Sequence, residues 1–205
     1  MIQIRAVKDP FTAPGLARQA VGALARAEAM GLLPAKLTIE VLDLPSFKKV
    51  IEHIARAGLA QAALTVLAQP APPRAQIEAM LTRIVDVLDH SPVPEREWPR
   101  LADLFGIDRL GELLGISASS LRRYKARARS TPDDVAGRLH FLALVVADLA
   151  GAYSEPGVRR WFERKRSQLG GRAPRDLLHG DWDPNAPGPT RVRELAQSLV
   201  FAPAT

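Results

Sequence analysis

The run Ile107-Asp108-Arg109-Leu110-Gly111-Glu112-Leu113-Leu114-Gly115-Ile116-Ser117-Ala118-Ser119-Ser120-Leu121-Arg122-Arg123-Tyr124-Lys125-Ala126 decides how the chain is read. Leu110, Leu114, Ile116, Leu121 and Tyr124 recur at a spacing that lines the facing sides of two short helices. Gly111 is the small residue that lets one helix cross closely over the other, and Gly115 is the reversal between them. Ser117 follows the reversal and can cap the second helix. A sparse apolar set around a glycine turn is the pattern of a helix-turn-helix, whose second helix enters the major groove of DNA.

On that reading the second helix presents Ser119 and Arg122 on its leading face, where base edges are met. Arg123 and Lys125 fall toward phosphates, with Arg127 and Arg129 trailing along the DNA backbone. Ser117 and Ser120, at the helix N-terminus, complete the expected DNA-facing set. Arg122, Arg123, Lys125, Arg127 and Arg129 place five cations in eight residues without an acid among them. An ordinary helical hairpin has no need of that concentration on its second helix.

Working outward, the chain reads as mainly α. Ile2, Ile4 and Val7 form the start of a short strand, as does the alternation Leu37-Thr38-Ile39-Glu40-Val41. Residues 16–30 are Ala-rich and helical, with Gly31 as the stop, and Ser46 caps a helix carrying Val50, Ile51, Ile54, Leu59 and Leu64 unless Gly58 breaks it. Gln69-Pro70-Ala71-Pro72-Pro73 is a connector. Ile77, Met80, Leu81, Ile84, Val87 and Leu88 then fall at helical spacing, ended by Ser91-Pro92-Val93-Pro94. Three parts are expected: a mostly helical domain over 1–95 with one or two short strands, a helix-turn-helix over 96–131, and a small helical domain over 132–205. In the last, Thr131-Pro132-Asp133-Asp134 opens a helix carrying Leu139, Leu142, Val145, Val146 and Leu149. Ser154 caps a helix whose buried face is Val158, Trp161, Phe162 and Leu169. Residues 181–189 read as an irregular proline-rich link, after which Thr190 caps a final helix with Val192, Leu195 and Leu199.

Trp161-Phe162, the run Leu169-Gly170-Gly171-Arg172-Ala173-Pro174-Arg175-Asp176-Leu177-Leu178, and the preceding helix-turn-helix carry a family pattern. It is a tryptophan-bearing helix followed by an LGG-x-x-P-x-x-LL turn. Residues 101–200 thereby resemble the Xre/MbcA/ParS-type antitoxins, and the first hundred residues are not covered. The resemblance implies an antitoxin of a type II toxin-antitoxin system. Its partner would be a RES-domain toxin, of a class that consumes NAD, neutralised by direct binding. The same protein would repress its own operon as a homodimer or a larger toxin-antitoxin assembly. Carried over to this chain, the toxin-facing residues would be Trp161, Arg172, Leu178, Arg193, Leu195 and Leu199, although the spacing of Trp161 favours burial over contact and Leu177 and Leu178 close a small core over Trp161 and Phe162. The alternative is a free-standing transcription regulator of the same architecture with no toxin.

No enzyme is expected. His53, His90, His140 and His179 are scattered, and no cysteine joins them, so neither a metal site nor a nucleophile emerges from the spacing. Asp133-Asp134 sits at a helix start, and Asp181 and Asp183 in a turn, where acids serve dipole and turn geometry. Gly170-Gly171-Arg172 lacks the lysine and hydroxyl of a phosphate-binding P-loop. No cofactor is expected. The opening Met1-Ile2-Gln3-Ile4-Arg5 has no basic-then-apolar signal segment, and residues 141–152, broken by Asp148, are too short to span a bilayer. A soluble, cytoplasmic chain is expected. Its net charge of +6 suits an anionic partner.

Overall fold

A computed structural model describes residues 2–34 and 37–200, and the described chain is mainly α-helical with one two-stranded sheet. It divides into two compact units, Met1–Ser91 and Pro92–Thr205.

In the first unit β1 (Gln3–Val7) and β2 (Thr38–Leu42) pair in parallel, with Gln3 opposite Thr38 and Val7 opposite Leu42. Parallel neighbours need a crossover, and α1 (Pro14–Ala29) supplies it. Proline at its first position suits the helix start. At its far end Gly31 takes φ +69° and Leu32 N–H reaches back to Ala27 O, closing the last turn. Then follow α2 (Leu44–Arg56), α3 (Gln61–Leu67) and α4 (Arg74–His90). Phe11, Leu24, Phe47, Ile51, Ile54 and Leu81 fill the core between them. Arg26 on α1 meets Asp89 on α4 at 2.7 Å.

Two expectations in this unit are corrected. The cap of α2 is Asp43, whose carboxylate accepts the Ser46 N–H at 2.9 Å, while Ser46 Oγ accepts the Asp43 N–H at 3.0 Å. Ser46 is therefore the third residue of a reciprocal capping box. Leu59 and Leu64 do not continue α2, because Gly58 at φ +85° ends it and α3 starts afresh.

The second unit contains α5 (Pro94–Phe105), α6 (Ile107–Leu114), α7 (Ala118–Lys125), α8 (Asp133–Leu149), α9 (Glu155–Glu163), α10 (Pro174–Leu177) and α11 (Pro187–Val200). Residues 96–131 and 132–200 lie together in it. Helix α8 is its centre, with every residue from Arg138 to Leu149 buried. A helix that is apolar all round belongs in a core. The buried charges it carries are each matched. His140 Nδ1 lies 2.6 Å from Glu97 on α5, Arg138 meets Asp134 at 2.6 Å and also Asp181, and Asp148 faces Arg193 of α11 at 3.8 Å.

Three helix starts differ from expectation. Pro132 is the N-cap of α8, and the Thr131 hydroxyl instead accepts the indole N–H of Trp98 at 2.9 Å. Ser154 holds the cap position of α9 without a side-chain cap bond. Helix α11 begins at Pro187, inside the segment expected as a link, and Thr190 Oγ1 donates to Ala186 O at 3.0 Å within it.

The Ser46 N–H beside it, more than any other group, holds the Asp43 carboxyl below its ordinary value. A depressed folded-state pKa adds stability above the unfolded pKa, and that stability is lost as pH falls through the folded one. Asp43→Ala should cost about 1 kcal/mol near neutrality. The gap between variant and wild type in urea melts should close on acidification; a gap that stays constant with pH contradicts the capping role.

Candidate functional site

The segment singled out by sequence folds as two short helices, α6 and α7, joined by residues 115–117. Gly115 takes φ +67°, and Ile116 N–H reaches back to Gly111 O at 3.0 Å. The approach is close: a Cβ on Gly111 would lie 2.9 Å from Ile116 O, so only glycine fits without a shift. Leu110, Leu114, Leu121 and Tyr124 are buried as expected, and Ile116 is half-buried.

Ser117 is the N-cap of α7, and its Oγ accepts the Ser120 N–H at 3.2 Å. That hydroxyl also bonds to Ser119 Oγ and Ser120 Oγ, both at 3.0 Å. The three serines thus form one knot at the helix N-terminus. Ser120 is half-buried in it and serves the cap, while Ser117 and Ser119 remain exposed. With Leu121 and Tyr124 turned inward, a period of 3.6 residues puts Ser119, Arg122 and Arg123 on the outward face.

The cations differ in their freedom. Arg122 and Arg123 are exposed and make no ion pair among the described residues. Lys125 lies 3.9 Å from Asp103 and Arg127 lies 3.7 Å from Glu95, both exposed pairs that yield readily to another partner. Arg129 lies over the Tyr124 ring, 5.8 Å from its centre. After α7, Ala128 N–H bonds to Arg123 O, and Arg127 itself takes φ +57°, the left-handed position where glycine is the usual occupant. An arginine there costs stability relative to glycine.

Two tryptophans passed over at the level of sequence hold this helix pair. Trp98 of α5 stacks on Tyr124 with ring centres 5.8 Å apart, tying α7 to α5 and to Thr131. Trp182 donates its indole N–H to Leu113 O at 2.8 Å and packs edge-on against Phe141 of α8. Gly180, just before it, lies against the turn itself: a Cβ on Gly115 would overlap Gly180 O and C. Their signal was present, since a tryptophan in a proline-rich segment has a large surface to bury. Its destination was not.

The expected partner-facing set divides. Trp161 and Leu178 are buried at 1% and 0% exposure, so neither side chain is available to a partner without opening the core. Arg172 is exposed, Leu195 and Leu199 are half-buried on α11, and Arg193 is turned toward Asp148. A cleft of about 390 Å³ runs past Arg109, Leu113, Phe162, Glu163, Arg175 and His179. Glu163 lies across it, paired with both Arg109 and Arg175. Among the described residues no group of three or more His, Asp or Glu is placed to hold a metal ion, and no helix is long and apolar enough to cross a membrane.

No family model, curated protein or solved structure matches this chain.

Gly115→Ala must push against the Gly180 backbone and adopt a left-handed φ, so it should destabilise by about 2 kcal/mol or more. Gly151→Ala, in open space with ordinary backbone, should be near neutral. Equal denaturation midpoints for the two variants would rule out the tight approach.

Proposed function

We propose that the second unit binds duplex DNA as a helix-turn-helix, with α7 in the major groove. One observation carries the reading. Helix α7 is short, capped and braced on its inner face by Leu121 and Tyr124, and its outer face offers two arginines with no competing acid. Such a helix can bring Ser119 and Arg122 to base edges in a fixed orientation. Ser117 flanks the entry, and Arg123, Lys125, Arg127 and Arg129 follow the phosphates. A homodimer would set two such helices in successive major grooves, about 34–36 Å apart.

The biological role we propose is that of an antitoxin acting in the cytoplasm. It neutralises a RES-domain toxin by direct contact and represses its own operon through α7. What supports the toxin arm is the sequence pattern over residues 161–178, and the surface left for it is Arg172 with Leu195 and Leu199 of α11. The burial of Trp161 and Leu178 favours a second reading, a free-standing regulator, because it removes the one aromatic and one of the three leucines from the expected toxin contact. No enzymatic role is proposed.

Affinity for the chain's own promoter should fall with salt at a log–log slope of about −0.9 per phosphate neutralised. Arg122→Ala should relax sequence preference. Arg127→Gly, which suits the local φ, should weaken binding to specific and random duplexes alike with no loss of thermal stability. Binding that is insensitive to salt contradicts the DNA reading, and identical profiles for the two variants contradict the division between bases and phosphates.

The two roles separate on α11. Leu195→Arg with Leu199→Arg should abolish protection of cells expressing a RES-domain toxin while leaving DNA affinity unchanged. Full protection by that variant favours the free-standing regulator. A truncation at residue 181 is not a clean test, because it removes the Trp182 contact that holds α6.

A further inference from the structure

Residues 159–175 hold seven Arg and Lys against one acid, Glu163, a density comparable to that of α7 and the turn after it. The fold uses three of the seven. Arg159 donates to Leu104 O at 3.0 Å, Arg166 lies over the Trp161 ring 5.6 Å from its centre, and Arg175 pairs with Glu163. The other four, Arg160, Arg164, Lys165 and Arg172, are exposed and make no ion pair among the described residues.

The backbone gathers three of those four. After α9 the chain doubles back, with Arg166 N–H donating to Arg172 O at 3.0 Å and Gly171 N–H donating to Arg166 O at 2.9 Å. Gly170 and Gly171, at φ +66° and +77°, make the reversal. Arg164 and Lys165 lead directly into the loop that Arg166 and Arg172 close, so they stand at its base beside the segment that carries Arg172. Leu169 is buried at the middle of the loop, and residues 167–169 pack against α11. The loop's other exposed residues are Ser167, Gln168, Gly170 and Gly171.

That surface has charge, hydrogen-bond donors and no exposed apolar side chain. A protein partner would want an aromatic or aliphatic anchor at the centre of its contact. The apolar residues nearby in sequence, Trp161, Phe162 and Leu169, are all buried. Phosphates want cations with small polar neighbours on a rigid base. We propose that residues 164–172 form a second phosphate-binding surface for duplex DNA, distinct from α7 and indifferent to sequence. Arg172 then serves DNA rather than a toxin. The proposal shares with the α7 reading the premise that this unit binds DNA, and the test keeps the two apart.

Arg164, Lys165 and Arg172 are all changed to Gln in the full chain, and in a second variant Arg122 and Arg123 are changed to Gln. Binding to a long specific duplex and a long random duplex is titrated across salt, with thermal melts as the check on folding. The loop variant should lose affinity equally for both duplexes, and its salt slope should become shallower by two to three units at about 0.9 per phosphate released. If only the α7 variant weakens, the loop proposal is wrong and α7 stands. If only the loop variant weakens, the loop stands and the α7 reading fails. A wild-type chain that binds neither duplex overturns both, and a loop variant that keeps DNA but no longer binds a RES-domain protein makes this a protein contact and overturns the proposal.

Discussion

Helix α8 has no side left for water, and the second unit is organised by that fact. An apolar helix alone would tolerate several packings, but α8 also carries Arg138, His140 and Asp148 into the core. An unmatched charge or polar ring in that position costs several kcal/mol. His140 is answered by Glu97 on α5, Asp148 by Arg193 on α11, and Arg138 by Asp134 within α8 and by the exposed Asp181 in the segment before α11. The charges of α8 therefore reach three other elements. A buried pair such as His140 with Glu97 adds little net stability, but it penalises any other arrangement.

The helix pair inherits its rigidity from those elements. Glu97 and its neighbour Trp98 sit on the same helix, so the segment that answers His140 also stacks on Tyr124 of α7. Asp181 and Trp182 are likewise adjacent, so the segment that answers Arg138 also bonds to Leu113 at the end of α6. Gly180 then lies against the Gly115 turn with no room for a methyl group between them. The angle between α6 and α7 is set from two directions by residues far away in sequence. An outward arginine pair on α7 needs that support, since a helix of eight residues holds no fixed direction by itself.

Charge is segregated in this unit. The cations at the end of α7 and those of the loop after α9 stand in two exposed groups, while several carboxylates are taken up by ion pairing or the core. Glu97 and Asp148 are buried against α8 partners, and Glu163 is taken by two arginines. The formal total of +6 conceals this, because a sum over the chain does not say where the cations cluster. Arg127 points the same way: a left-handed backbone position that glycine would fill more easily is occupied by an exposed cation.

Local features were legible in the sequence because their causes are local. The glycine reversal at Gly115, the Ser117 cap, the apolar spacing from Leu110 to Tyr124 and the strand-helix-strand opening each depend on residues a few positions apart. The sequence also displayed both runs of cations, though the second, over 159–175, lay unread beneath a family pattern drawn from its apolar residues. What it could not display was anything decided by long-range packing. Trp161 and Leu178 suited both a small core and a partner contact, and burial decided for the core, while residues 181–189 looked like a link until Trp182 found Leu113. Spacing states which residues share a face; which faces are then covered depends on burial summed over the whole unit, and only the assembled tertiary structure decides that.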